Sequence, residues 1–271
     1  MKTRIIAAVV LIPALLLIVL VAPKWVAAVV YALMMAIAAY ELLFRTGLIR
    51  HPRLIIYSCL MAVAVTMWSF FDAVHAYAVL GILVFAMILF LEMMADHVKV
   101  NFEMICLCLA AGLVVPYLLS SLIRILSMKI GKYMVLVPFI VAFASDAGAY
   151  FAGKFYGKHK LAPVVSPNKT IEGAVGGLLS ATLCMLIYAA ILHLGFRFRV
   201  NYALAALYGV AGAMVGVIGD LCFSAIKRQT GIKDYGNLIP GHGGVLDRFD
   251  SVMTVGPLME ALLVLIPFAV G

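Results

Sequence analysis

An all-α polytopic membrane protein is the fold class this sequence predicts, and three observations predict it. Hydrophobic residues make up 66% of the 271 and charged residues only 12%, against about 45–50% and roughly 25% in soluble domains. Apolar runs of about 20 residues, enough to cross a hydrocarbon core of roughly 30 Å, recur along the whole chain. Only short polar breaks separate them, so no separate soluble domain fits.

The runs read as about nine transmembrane helices. In order they cover Ile5 to Ala22, Trp25 to Phe44, Leu54 to Phe71, Tyr77 to Ala95, Glu103 to Ile123, Tyr133 to Ala152, Gly173 to Gly195, Ala203 to Ile226 and Ser251 to Val270. The first, with Lys2 and Arg4 ahead of it, has the outline of a signal peptide. Pro23 and another apolar run follow in place of a small-residue cleavage site, so it is expected to stay as an anchor. Residues 1–132 are expected to form N-terminal transmembrane helices and residues 133–271 a C-terminal catalytic transmembrane region.

Orientation follows from the Lys and Arg of alternate loops. With the N-terminus in the cytoplasm, only Lys24, Arg124, Lys129, Lys132, Arg197 and Arg199 of the 20 basic residues fall outside. That asymmetry favours a cytoplasmic N-terminus and an external C-terminus. The net charge of +8 suits anionic headgroups of membrane lipids, although the positive-inside bias explains much of it. Cys59, Cys106, Cys108, Cys184 and Cys222 all lie in apolar spans without metal-ligand spacing beyond a lone C-x-C, and read as small hydrophobes.

The two halves differ in polar content. Before Lys132 the acids Glu41, Asp72, Glu92, Asp96 and Glu103 sit at span ends or loops and read mostly as solvated. After it, Asp146, Glu172, Asp220, Asp234, Asp247 and Asp250 gather in or beside the cytoplasmic ends of the last four spans. A charge at the centre of a membrane helix costs about 2.5–3.5 kcal/mol on insertion scales, so Asp146 and Asp220 each need a partner, water or a metal.

On a helix, Asp220, Ser224 and Lys227 share one face at i, i+4 and i+7, with Arg228 beside them. Pairing of Asp220 with Lys227 or Arg228 is the plainer alternative; a polyphosphate and metal cradle is the richer one. Asp247 and Asp250 share a face if their segment is helical, and as plain dipole complements would need no further role. Lys233, Asp234, His242 and Arg248 lie close by in sequence, and the intervening glycines let the backbone turn and expose amides toward an anion. Carboxylates brought together by such a loop suit Mg²⁺.

A second polar stretch adds to this. Asp146, Tyr150 and Gly153 share a helix face. Ser166-Pro167 is expected to start a helix whose free amides favour phosphate, with Asn168 and Lys169 beside it. Gly173 and Gly177 form a GxxxG pattern that reads as close helix packing. Of the histidines only His242 stands out, and only through its neighbours.

These residues bring a family into view. The 27-residue run Ser224-x-x-Lys227-Arg228-x4-Lys233-Asp234-x-Gly236-x2-Ile239-Pro240-x-His242-Gly243-Gly244-x2-Asp247-Arg248-x-Asp250 resembles the C-terminal motif of the phosphatidate cytidylyltransferases, or CDP-diglyceride synthases. Gly219-Asp220-Leu221, Ser145-Asp146-x-x-Ala149-Tyr150 and Ser166-Pro167-Asn168-Lys169-Thr170 are also similar to family segments. The first half is similar only in its hydrophobic spans.

The resemblance implies a polytopic, homodimeric enzyme of the bacterial inner (plasma) membrane that condenses CTP with phosphatidate to CDP-diacylglycerol and pyrophosphate, using Mg²⁺ and a monovalent cation such as K⁺. Its cavity is expected to open to cytoplasm and lipid, and no nucleic acid is expected among its partners. Asp220 and Asp247 are expected to hold Mg²⁺ with Asp146 and Asp250 in support. Lys227, Arg228, Lys233 and Arg248 are expected to divide between triphosphate and lipid phosphate, Ser224 and His242 to hydrogen-bond phosphate oxygens, and Asp234 to orient Lys233. Two other readings stay open: a CTP-dependent polyprenol or lipid kinase, which attacks a different phosphorus, and an ion-coupled transporter, which would show internal repeats and midplane charges in both halves.

Overall fold

The computed structural model describes residues 17, 18, 20–71, 76–238 and 243–271. Among them, seven helices are long and apolar enough to cross a membrane: Lys24–Arg45, Pro52–Phe70, Ala78–Ala95, Phe102–Ser127, Gly131–Tyr156, Ile171–Phe196 and Tyr202–Gln229. They correspond to the second through eighth expected spans. Most of the first, Ile5 to Ala22, lies outside the described residues.

The ninth expected span takes another form. A helix of 14 residues runs from Val252 to Leu265 and stops at Ile266, whose φ of −142° and ψ of 65° leave the helical region. Pro267 disfavours helical geometry at the residue before it. The chain then pairs as a short strand, Ala269–Val270, against Arg199–Val200. The fold is therefore mostly helical with small β ribbons, and the apolar run to Val270 is not one continuous helix.

The chain divides into two compact units, Met1–Ser127 with Gln229–Phe249, and Met128–Arg228 with Asp250–Gly271. In the first unit, α1 (Lys24–Tyr40) widens into a π-helical turn at Glu41–Arg45 and packs on α2 (Pro52–Phe70). Helix α3 (Ala78–Ala95) follows, then α4 (Phe102–Leu109), a second π turn (Ala110–Val114), α5 (Val115–Leu119) and α6 (Ser121–Ser127). Pro116 lies just after that π turn. A proline ring clashes with the carbonyl four residues back, and a wider turn accommodates it. Gly112 in the same turn sits against Ser58, where a Cβ would come within 3.1 Å of backbone. Polar side chains here bond back into their own helices, as Ser58 Oγ does to Leu54 O at 2.8 Å and Ser120 Oγ to Pro116 O at 2.6 Å. No bilayer group offers an alternative partner.

The second unit opens with α7 (Gly131–Met134) and α8 (Leu136–Tyr156), followed by the antiparallel ribbon β1 (Lys160–Ala162) and β2 (Ser166–Thr170). Next come α9 (Ile171–Phe196), β3 (Arg199–Val200) and α10 (Tyr202–Gln229). After α11 (Leu246–Phe249), which belongs to the first unit, α12 (Val252–Leu265) and β4 (Ala269–Val270) complete the second. The Gly173/Gly177 pattern does what its spacing implies, since a Cβ on Gly173 would meet Ala149 O at 2.9 Å and one on Gly177 would meet Ser145 O at 2.8 Å. Small residues let α8 and α9 approach backbone to backbone.

Ser166-Pro167 does not start a helix. It lies in β2, and Thr170 caps α9 by accepting the Gly173 amide at 3.1 Å. The extended backbone that ψ takes ahead of a proline favours the strand, and Thr170 supplies the cap oxygen. Asn201 caps α10 in the same way, taking the amides of Ala203 and Leu204 at 3.0 and 3.2 Å.

Candidate functional site

Helix α10 has 28 residues. At a rise of 1.5 Å each it is about 42 Å long, more than the roughly 30 Å a hydrocarbon core requires. Its last turns can therefore leave the apolar layer, and Asp220, Ser224, Lys227 and Arg228 lie there. The helical spacing holds, for Ser224 Oγ donates to Asp220 Oδ1 at 3.2 Å.

Asp220 also has an ion partner from outside its own helix. Lys169 Nζ lies 2.5 Å from Asp220 Oδ2, with both side chains about three-quarters buried. Beside any pairing within α10, β2 thus supplies a contact of its own. The β1–β2 ribbon is itself fixed on several sides. Arg228 Nε donates to Val165 O at 3.2 Å, and Lys160 Nζ donates to Pro167 O at 2.7 Å. Glu172 accepts the amides of Lys158 and His159 at 3.1 and 3.2 Å and meets His159 Nδ1 at 2.6 Å. Glu172 is thus a ribbon clasp, and His159, unremarked in the sequence, is its partner.

Asp250 occupies the turn between α11 and α12, half-buried, and caps the next residue by accepting Ser251 N at 2.8 Å. Burial, then the Asp220 carboxylate and more weakly Asp146, push its carboxyl up to about 7, against the lowering effects of the Ser251 amide and Lys227. Asp250 therefore feels two further acids of the second unit. Asp146 is exposed on α8. A divalent cation would relieve this crowding of negative charge.

Among the described residues no group of three or more His, Cys, Asp or Glu is arranged to hold a metal ion. A three-residue cage is the wrong standard for Mg²⁺, which usually takes one or two carboxylates and completes its octahedron with waters and substrate phosphates. Asp220 with Asp250 fits that donor chemistry.

Asp247 lies in α11 of the first unit, and the helix ends before Asp250, so the two do not share a helix face. Buried Asp247 Oδ2 accepts the amides of Tyr235 at 2.7 Å and Gly244 at 3.0 Å. Gly243 makes room for it at φ +88°, a conformation that side chains resist, and a Cβ there would meet Asp247 Oδ2 at 2.8 Å. Lys233, Asp234 and Arg248 are exposed in this unit, Asn168 is exposed on β2, and His242 lies outside the described residues.

One residue of this region has no counterpart among the candidates that the sequence singles out. Glu41, expected to be solvated, is only 3% exposed. Its Oε1 accepts Val245 N at 3.1 Å and its Oε2 accepts Leu246 N at 3.0 Å. Its only sequence signal is an acid placed just after seventeen residues of an apolar helix.

Residues 2–266 match the model of the Cytidylyltransferase family. Over 134 residues the chain is 46% identical to a phosphatidate cytidylyltransferase of Staphylococcus haemolyticus, 46% to one of Staphylococcus saprophyticus and 45% to one of Staphylococcus aureus. These alignments cover 49% of this chain and 50% of each relative, so the chain spans about half the length of the curated relatives it matches. The family match runs almost from end to end, through both polar stretches and the helices that carry them: the chain belongs to the Cytidylyltransferase family.

Proposed function

We propose that the chain is a phosphatidate cytidylyltransferase of a bacterial plasma membrane, converting CTP and phosphatidate to CDP-diacylglycerol and pyrophosphate. The observation that carries the reading is the Lys169–Asp220 pair with Ser224 and Asp250 at the end of a membrane helix, where a lipid phosphate and a soluble nucleotide can both arrive. The names of the relatives supply the substrates. The N-terminus and this end of α10 face the cytoplasm in this reading, as the basic loop residues favour.

The lipid phosphate is already ionised, so the reaction needs alignment and charge relief more than a strong base. A phosphatidate oxygen forms a bond to the CTP α-phosphorus in line, the bond from that phosphorus to the bridging oxygen breaks, and its electron pair leaves with pyrophosphate. Bound Mg²⁺ supplies Lewis-acid stabilisation of the phosphate oxygens. Asp220 and Asp250 offer it carboxylate oxygens, with Asp146 adding negative charge.

Lys169, paired with Asp220, would offer its ammonium to a phosphate oxygen, and Lys227 and Arg228 would balance further anionic oxygens. Ser224, whose hydroxyl donates to Asp220 here, would donate it to a phosphate oxygen. On sequence grounds Lys233, Arg248, Asp247 and His242 keep the substrate or metal roles that the motif assigns them, Asp234 orients Lys233, and Asn168 stays a candidate for binding the nucleotide. The acyl chains stay in the bilayer, and K⁺ and a dimer rest on the resemblance alone.

The test is reconstituted protein given Mg²⁺, CTP and labelled phosphatidate. Label entering CDP-diacylglycerol with release of pyrophosphate supports the reading. In a parallel arm with a polyprenol in place of phosphatidate, release of CDP with polyprenyl phosphate would make the chain a kinase instead, and ion flux across the vesicles without lipid product a transporter.

A further inference from the structure

We infer that Glu41 is a positioning residue whose carboxylate sets the backbone of the glycine-rich motif segment from a helix of the other half of the sequence. The inference rests on the proposed reaction for its catalytic consequence and on geometry for everything else.

Three observations converge. Glu41 stands in a π turn, and the wider turn re-aims a side chain that a regular α-helix would direct elsewhere. Its two oxygens are spent one each on consecutive amides, Val245 N and Leu246 N, immediately before Asp247 and Arg248. Finally, a methyl group on either Gly236 or Gly244 would run into the Glu41 carboxylate. Glycines on two sides thus leave space for this acid, and the acid fills it. A buried carboxylate that merely ended a helix would need neither the glycines nor the amides.

The division of labour between its oxygens makes the role specific. Glutamine has nearly the same volume but one acceptor oxygen, and its NH₂ would face an N–H. One of the two amides would lose its acceptor and meet a donor. Aspartate keeps both oxygens on a shorter stem. If charge and acceptor count matter, the aspartate variant keeps more function than the glutamine variant although it is the poorer match in size.

The experiment uses the full chain in nanodiscs, with hydrogen–deuterium exchange and steady-state cytidylyl transfer measured for wild type, Glu41→Gln and Glu41→Asp. In Glu41→Gln the amides of residues 243–248 are expected to exchange faster while those of α8 and α9 stay as in wild type. The accompanying fall in kcat/KM for CTP is on the order of 10²-fold, the cost of misplacing a reacting group by about 1 Å, and lies mainly in kcat. Glu41→Asp is expected to recover part of both.

Wild-type exchange and turnover in Glu41→Gln overturn the inference. So does faster exchange spread evenly over both units, which would mark Glu41 as a general determinant of folding. If Glu41→Gln cannot be purified folded, Gly236→Ala approaches the same carboxylate from the other side and must reproduce the local signature. Should wild type itself form no CDP-diacylglycerol, the proposed reaction falls, while the exchange arm still decides whether Glu41 holds the segment.

Discussion

The two units manage their buried acids in opposite ways. In the first, Glu41 and Asp247 are held by backbone amides: two oxygens for two amides at Glu41, one oxygen for two amides at Asp247. In the second, Asp220 is held by the mobile end of a lysine, and Asp250 is left with a raised affinity for protons. Backbone amides do not leave when a ligand arrives, whereas an ammonium on a four-carbon stem can. Acids of the first kind shape a segment whatever else they meet, and the pairing of Asp220 is the kind that a metal or substrate can exchange.

The largest expected effect tests the exchangeable side. Asp220→Asn removes the charge that Lys169 neutralises, and turnover should fall on the order of 10³-fold, the scale seen when one electrostatic stabiliser is removed. Activity within tenfold of wild type at saturating Mg²⁺ would break the distinction.

Asp247→Asn probes the other side with a sharper edge. Oδ2 accepts both of these amides and an asparagine oxygen in its place can do the same, so exchange at Tyr235 and Gly244 should be unchanged. A loss of turnover of comparable order would then report the lost charge and the metal role that the motif assigns. Near-normal turnover would leave Asp247 a loop acid only.

Lys169→Met should separate binding from chemistry. With no ammonium to displace, Mn²⁺ in place of Mg²⁺ binds the nucleotide-free protein more tightly, read by electron paramagnetic resonance, while turnover drops about 10²-fold for want of a positioned cation on phosphate. Unchanged Mn²⁺ affinity would show that the ion pair does not guard Asp220.

The smallest effect is in pH. The carboxyl of Asp250 sits at about 7 in the folded protein, above its ordinary value near 3.8. A group raised in this way favours the folded state most below the lower value and loses that contribution as pH rises through the upper one. Metal-free wild type should therefore lose more thermal stability between pH 5 and 8 than Asp250→Asn does, and protons should compete with Mg²⁺ below about pH 7. Parallel stability profiles for the two proteins would remove Asp250 from the crowded set.

Much of the membrane architecture was legible because a run of twenty apolar residues leaves few alternatives. The last run was misleading because hydropathy counts Ile266 to Val270 as apolar, whereas Pro267 ends the helix and Ala269 and Val270 go into strand pairing. Helical periodicity found the Ser224–Asp220 contact. It could not find Lys169 on Asp220, although both residues stand out in the sequence, because a lysine suggests phosphate and an aspartate suggests metal before either suggests the other. Glu41 was the hardest to see. An acid at the end of an apolar run has the same sequence signature whether it meets water or meets Val245.

The Glu41 contacts also bear on how the chain is made. The residues they join are 204 and 205 positions apart. At 5–20 residues per second, a ribosome would deliver Val245 about 10–40 s after Glu41. Throughout that interval the first helices are available for insertion while their acid still lacks its amide donors. During synthesis the acid must hold a proton or be sheltered by the translocon or the water at its mouth, and an early helix acquires its final seat only when a late segment comes back to it. Assembly of this protein is therefore expected to finish near its first described helix, long after that helix was built.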